Sequence, residues 1–189
     1  GGKWVRFGVT PDGPIDHSLP ILKVTDAHGK LLCVVVNYAC HCTTMSGNSI
    51  HGDWAGCAQQ YIEENHPGAV AMITIGCGAD VGPYPSGTLE IAQQYGDQLA
   101  REVNRLLQGE FKPLDPKLTA RQKTIEVHLG ALPTREELQE RTENSRLRLG
   151  ARDVARHFLG ILDRDGALRK SFHYPITTWT FGDDLAMVF

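Results

Sequence analysis

The sequence predicts an α/β fold, a mixed and mostly buried sheet with flanking helices, and two observations carry that prediction. Apolar, β-rich runs alternate with segments whose apolar residues recur every three or four positions. The connections between them are short, which argues for some parallel pairing through right-handed crossovers. The composition agrees: 41% hydrophobic and 22% charged residues over 189 positions are globular values, enough for a core without disulfide staples.

Pro20 to Asp26 and Leu31 to Asn37 read as two strands joined by the hairpin turn Ala27-His28-Gly29-Lys30. The second run is apolar at nearly every position, which predicts burial on both faces. Trp54, Cys57, Ala58, Tyr61 and Ile62 share one helical face, with Asp53 placed as N-cap and His66-Pro67-Gly68 as the stop. Ala69 to Ile75 reads as a further buried strand that runs into the glycine-rich segment Gly76 to Pro83. From Thr88, Leu89, Ala92, Gly96, Leu99, Val103 and Leu106 line a second helix ending near Gly109.

The remainder has a different character. Phe111 to Pro116 holds two prolines and reads as a linker, so that residues 1–109 form the α/β portion and 110–189 a separate strand, charged helix and closing hairpin. Leu118 to Leu129 predicts a long strand. Thr134 and Glu137 form a capping box that opens one highly charged helix, whose apolar side reappears at Leu147, Ala151, Val154, Phe158 and Leu162. Phe172 to Phe181, Gly182-Asp183-Asp184 and Leu185 to Phe189 read as the closing hairpin. Because the chain stops inside this last apolar run, the expectation is a segment of a longer protein.

Several function classes are disfavoured. A formal charge of -3, from 19 Lys+Arg against 22 Asp+Glu, supplies no electropositive footprint for a nucleic acid. The longest apolar run, Leu31 to Val36, is far short of the ~20 residues that cross a bilayer. Cys33, Cys40, Cys42, Cys57 and Cys77 form no CxxC pair, so ribbon-type zinc sites and thioredoxin-type chemistry fail, and the odd count leaves at least one thiol free within this chain.

Reactive side chains concentrate in three places. Asn37 to Thr44 follows a predicted strand and holds Cys40, His41 and Cys42. Strand geometry would turn the cysteines one way and His41 the other, leaving His41 a single metal-ligand candidate or else a satisfied strand-end histidine. Ser49 to Asp53 adds His51 and Asp53, for which capping is a sufficient explanation of the carboxylate. Gly76 to Pro83 offers backbone amides and one ionisable side chain, Asp80, but neither a phosphate loop nor a dinucleotide fingerprint.

Taken in order, Asn37-Tyr38-Ala39-Cys40-His41-Cys42-Thr43-Thr44-Met45, Ile50-His51-Gly52-Asp53-Trp54-Ala55-Gly56 and Gly76-Cys77-Gly78-Ala79-Asp80-Val81-Gly82-Pro83 resemble the catalytic domain of the neutral/alkaline non-lysosomal ceramidase family, in its bacterial ceramidase-like branch. Pro11 to Asp16 and the Asp184 to Phe189 hairpin extend the likeness over nearly the whole chain. The resemblance implies an α/β catalytic domain in which zinc activates water to hydrolyse the amide of ceramide or a related N-acyl lipid. It implies His41 as a zinc ligand, with the family's other ligands, a His, a Glu and a Tyr, falling at positions this chain does not contain. It also implies Asp80 as a catalytic or orienting group, and Gly76, Gly78 and Gly82 as lining the substrate site. A secreted or periplasmic location follows from the resemblance alone.

The chain departs from the family at Gly82, where the family carries a serine, and at His51, where it more often carries serine. Zinc hydroxide attacks an amide without a serine, so these departures bear on substrate more than on reaction type. Two rivals remain: a non-catalytic ceramidase-like binding or scaffold domain, and a cysteine hydrolase built on Cys40, Cys42 or Cys77.

Overall fold

The computed structural model describes residues 8–10 and 12–189; residues 1–7 and Pro11, with which the Pro11 to Asp16 stretch begins, lie outside the described residues. The chain has the predicted α/β class, the described residues forming two three-stranded sheets and four helices. It divides into two compact units, Gly1–Lys112 and Pro113–Phe189.

In the first unit β1 (Ile21–Thr25) and β2 (Leu31–Tyr38) form an antiparallel hairpin, and β2 pairs in parallel with β3 (Val70–Ile75). The Asp26 carboxylate accepts the amides of His28 and Lys30, and Gly29 takes the left-handed φ of +83° that the turn requires. Helix α1 (Asp53–Asn65) connects β2 to β3, and α2 (Leu89–Leu107) follows β3. Val34, Val36 and Ala71 of the sheet pack against Ile62 of α1 and Ala100, Val103 and Leu107 of α2. Each buried Val, Ile or Leu contributes about 2 kcal/mol. The helices cross closely because Gly96 has no side chain: a Cβ there would lie 2.4 Å from the Cys57 Cβ.

Three readings change. Burial on both faces is not what β2 shows, since Val34 and Val36 are buried while Leu32 is 43% exposed. Nor is β3 a buried strand: Val70, Met72 and Ile75 are about half exposed, for β3 lies at the edge of the sheet. The physical reason is that α1 and α2 pack on the face of Ala71 and Ile73, so that Val70 and Met72 alternate onto the other face, while Ile75 is the last residue of the strand. Along α2 the fully buried stripe is Ala92, Gly96, Ala100, Val103 and Leu107, so small residues rather than Leu99 and Leu106 set the closest approach.

In the second unit β4 (Leu118–His128), β5 (Ser171–Phe181) and β6 (Leu185–Val188) form an antiparallel sheet in that order, its last turn made by Gly182 at φ +50°. The single charged helix of the sequence reading is two: α3 (Arg135–Glu143) and α4 (Leu149–Asp165). The capping box of Thr134 and Glu137 opens α3. Asn144 ends it, because its extended backbone leaves the helix while its side chain accepts the Arg146 amide and its carbonyl the Leu147 amide.

Candidate active site

Because β2 and β3 are parallel neighbours, both end at one edge of the sheet, and the loops that follow them, residues 39–52 and 76–88, meet there. Ligands of open α/β sheets bind outside the carboxyl ends of the strands. The loops are laced together. The Gly76 amide donates to the Tyr38 carbonyl (3.0 Å), the His41 amide to Val81 (2.9 Å) and the Gly87 amide to Thr44 (2.6 Å). Ser46 Oγ also donates to the Gly87 carbonyl at 3.1 Å.

This lacing explains the glycines. A Cβ on Gly78 would lie 2.4 Å from the Ala39 carbonyl carbon, and one on Gly76 2.7 Å from Asn37 Oδ1. Both therefore let the backbones approach. Their amides are engaged within the protein, Gly78 donating to the Gly76 carbonyl at 2.7 Å. Gly82 differs: the nearest atom a Cβ would meet is Thr43 Oγ1 at 4.0 Å, so the position stands open.

His41 is exposed on the first loop, its Nε2 lying 3.0 Å from the Ala79 carbonyl. A carbonyl only accepts, so Nε2 is the donor in this contact, and in the neutral ring it is then Nδ1 that has the lone pair. A backbone carbonyl on one ring nitrogen is the usual way a protein orients a histidine whose other nitrogen serves a metal or substrate. It is thus the backbone of Ala79 that holds the ring, and not the carboxylate of its neighbour Asp80, which is exposed and meets no hydrogen-bond or ion-pair partner among the described residues. His51 accepts the Asp53 amide on Nδ1 at 2.8 Å and belongs to the turn entering α1.

Asp53 is not the predicted N-cap. Gly52 occupies that position without a side-chain bond, and Asp53 is the first helical residue, at a left-handed φ of +56°. Its carboxylate accepts the Met45 amide at 2.7 Å and the Trp54 amide at 2.8 Å. Burial raises the pKa of this carboxyl, but the amides of Met45 and Trp54 and the neighbouring Thr44 outweigh that and leave it below the usual carboxylate value. The Thr44 hydroxyl, wholly buried, has no partner at hydrogen-bond geometry among the described residues. The buried Trp54 indole donates to the His41 carbonyl at 2.9 Å, and its ring meets Tyr38 edge-on. Nothing in the sequence marks Trp54 as a partner of His41; as one apolar residue on a helical face it reads as core.

None of the five cysteines is joined in a disulfide. Burial pushes the thiols of Cys33, Cys40, Cys42 and Cys57 up, and the Asp53 carboxylate adds to this at the last three. Four of the five are therefore poor thiolates, which counts against the cysteine-hydrolase rival for Cys40 and Cys42. Among the described residues no three of His, Cys, Asp and Glu converge to hold a metal ion. Cys40 is buried against the His41 carbonyl and Asp53 is engaged by two amides, so His41 is one donor and the set present does not by itself fit zinc.

Fold and site together define an α/β chain with a two-loop edge presenting one oriented imidazole. Its fold is similar to that of neutral ceramidase from Pseudomonas aeruginosa in crystal, with a TM-score of 0.55 at 16% identity over 89% of this chain and 33% of that one. A ceramidase complexed with C2 gives a TM-score of 0.59 at 16% identity, over 92% of this chain and 36% of that one. The chain thus spans about a third of the length of these neighbours. No family model matches the sequence, and no curated protein matches it.

Proposed function

We propose that this chain is part of the catalytic domain of a ceramidase-like amide hydrolase, cleaving the N-acyl bond of ceramide or a related lipid. One observation carries the reading: His41, exposed where the two strand ends meet, is fixed by the Ala79 carbonyl with Nδ1 left open. The likeness in fold to neutral ceramidases supports it. His41 would supply one zinc donor, the remaining donors coming from groups outside these residues. Asp80, exposed beside Ala79, would orient substrate, and the loop through Gly76, Gly78 and Gly82 would line its path. By the same reading the protein is exported, to the periplasm or outside the cell.

The test is made on the natural polypeptide that carries these residues. Zinc stoichiometry and hydrolysis of a short-chain N-acyl sphingosine are measured for it and for His41→Ala. The expected result is loss of zinc and at least a 100-fold lower rate in the variant. Full metal and full rate in His41→Ala would remove the histidine from the site. A second reading, a non-catalytic ceramidase-like scaffold, draws on Gly82, where open space stands beside Thr43 Oγ1. An unaltered protein that takes up no zinc and cleaves no N-acyl substrate establishes that reading instead.

A further inference from the structure

Both main-chain groups of His41 are tied down, and the two ties differ in kind. Its amide is held by a backbone carbonyl, that of Val81 at 2.9 Å. Its own carbonyl is held by a side chain, the Trp54 indole at 2.9 Å. The residue before Trp54 is Asp53, a carboxylate only 4% exposed on a residue in the left-handed region at φ +56°. Oδ1 turns back onto the Trp54 amide while Oδ2 crosses to the Met45 amide, four residues beyond His41. The Asp53 amide is in turn held by His51 Nδ1 at 2.8 Å. The loop from His41 to Met45 is therefore gripped at both ends from the first turn of α1, once by the indole and once by the carboxylate.

A carboxylate that served only to cap α1 would have no need of the Met45 bond or of a left-handed backbone. Strained backbone persists where its surroundings over-determine it, and here they do so through three hydrogen bonds on one residue. The same grip reaches the second loop, because Thr44, next to Met45, receives the Gly87 amide on its carbonyl.

We infer that Asp53 is a positioning residue, which with Trp54 fixes the His41–Met45 loop so that the His41 ring keeps its bond to Ala79 and its Nδ1 faces outward. The inference deepens the proposed function and rests on it for the use made of His41, but the positioning itself has its own readout. Three variants are compared with the unaltered natural polypeptide. Asp53→Gly relieves the backbone and removes the carboxylate. Asp53→Asn tolerates the same backbone and keeps one acceptor. Trp54→Phe keeps an aromatic ring and removes the donor to His41.

Each is labelled with ¹⁵N at histidine and backbone, the His41 ring signals being assigned by their loss in His41→Ala. The expected result is a displaced or broadened His41 ring signal and at least 10-fold faster hydrogen exchange at the Met45 amide in Asp53→Gly. Asp53→Asn should restore part of both. Trp54→Phe should displace the ring signal with Met45 exchange changed less than threefold. If Asp53→Gly does not fold, Asp53→Asn and Trp54→Phe decide the matter alone. Unchanged His41 ring signals in the folded variants overturn the inference, and do so whether or not His41→Ala loses zinc. Displaced signals together with an undiminished zinc content in His41→Ala uphold the positioning and remove only the metal assignment.

Discussion

Gly78 and Gly82 lie in one loop and tolerate substitution oppositely. A methyl on Gly78 would run into the main chain of Ala39 and Cys40 at 2.4 and 2.5 Å, and neither of those can swing aside like a side chain. Gly78→Ala is expected to destabilise by about 3 kcal/mol, seen as a lower denaturant midpoint at constant slope. Gly82→Ser should change stability by less than about 0.5 kcal/mol, since its nearest neighbour is 4.0 Å away. At Asp53 the sign of the pH dependence follows from the depressed pKa. The stabilisation is complete above the ordinary carboxylate range and is lost as pH falls through the lower folded value. A plot of unfolding free energy against pH should therefore drop below about pH 4, and Asp53→Asn should flatten part of that drop. The carboxylate was visible in the sequence as a helix-start residue. That it reaches Met45 was not, because the bond depends on how the loop brings a residue eight positions earlier back to the start of the helix.

The helices were the most legible elements, and where they deviated the cause was a contact and not a propensity. The three- and four-residue spacing located α2 within a residue or two at each end, with Thr88 capping through the Ile91 amide. It could not reveal that the line of closest approach runs through Gly96, since a helical wheel ranks glycine below leucine as a core residue. Gly96→Ala is expected to cost about 2 kcal/mol or more, because the added methyl meets Cys57 and the Ala58 amide where α1 and α2 cross. The α3 capping box was legible because both of its partners sit three residues apart. Thr134→Ala should cost about 1 kcal/mol, measured as a shift in thermal midpoint. The break between α3 and α4 is hidden in the sequence by continuing charge and helix-forming residues, and only the hydrogen bonds of the Asn144 turn disclose it.

Across the chain, the five thiols range from exposed to buried. Alkylation of the native protein should label Cys77 and Cys42 first, with Cys42 slower because burial and Asp53 raise its thiol. Cys33 should follow, and Cys40 and Cys57 should react only on unfolding. Mass spectrometry of timed samples gives that order directly, and an N-acyl hydrolase that outlives loss of the two exposed thiols would also set aside Cys42 and Cys77 as nucleophiles. No helix among the described residues is long and apolar enough to cross a membrane.

The order of strands and helices, the hairpin turns and the position of His41 after a strand were written in the sequence, because each depends on neighbours a few residues apart. Which sheet face is covered, that Gly78 serves loop packing, and that Ala79 and not Asp80 holds the imidazole all follow from long-range contacts. Those facts require residues about 40 apart in the chain to meet at one edge of a sheet, and local pattern carries no record of such meetings.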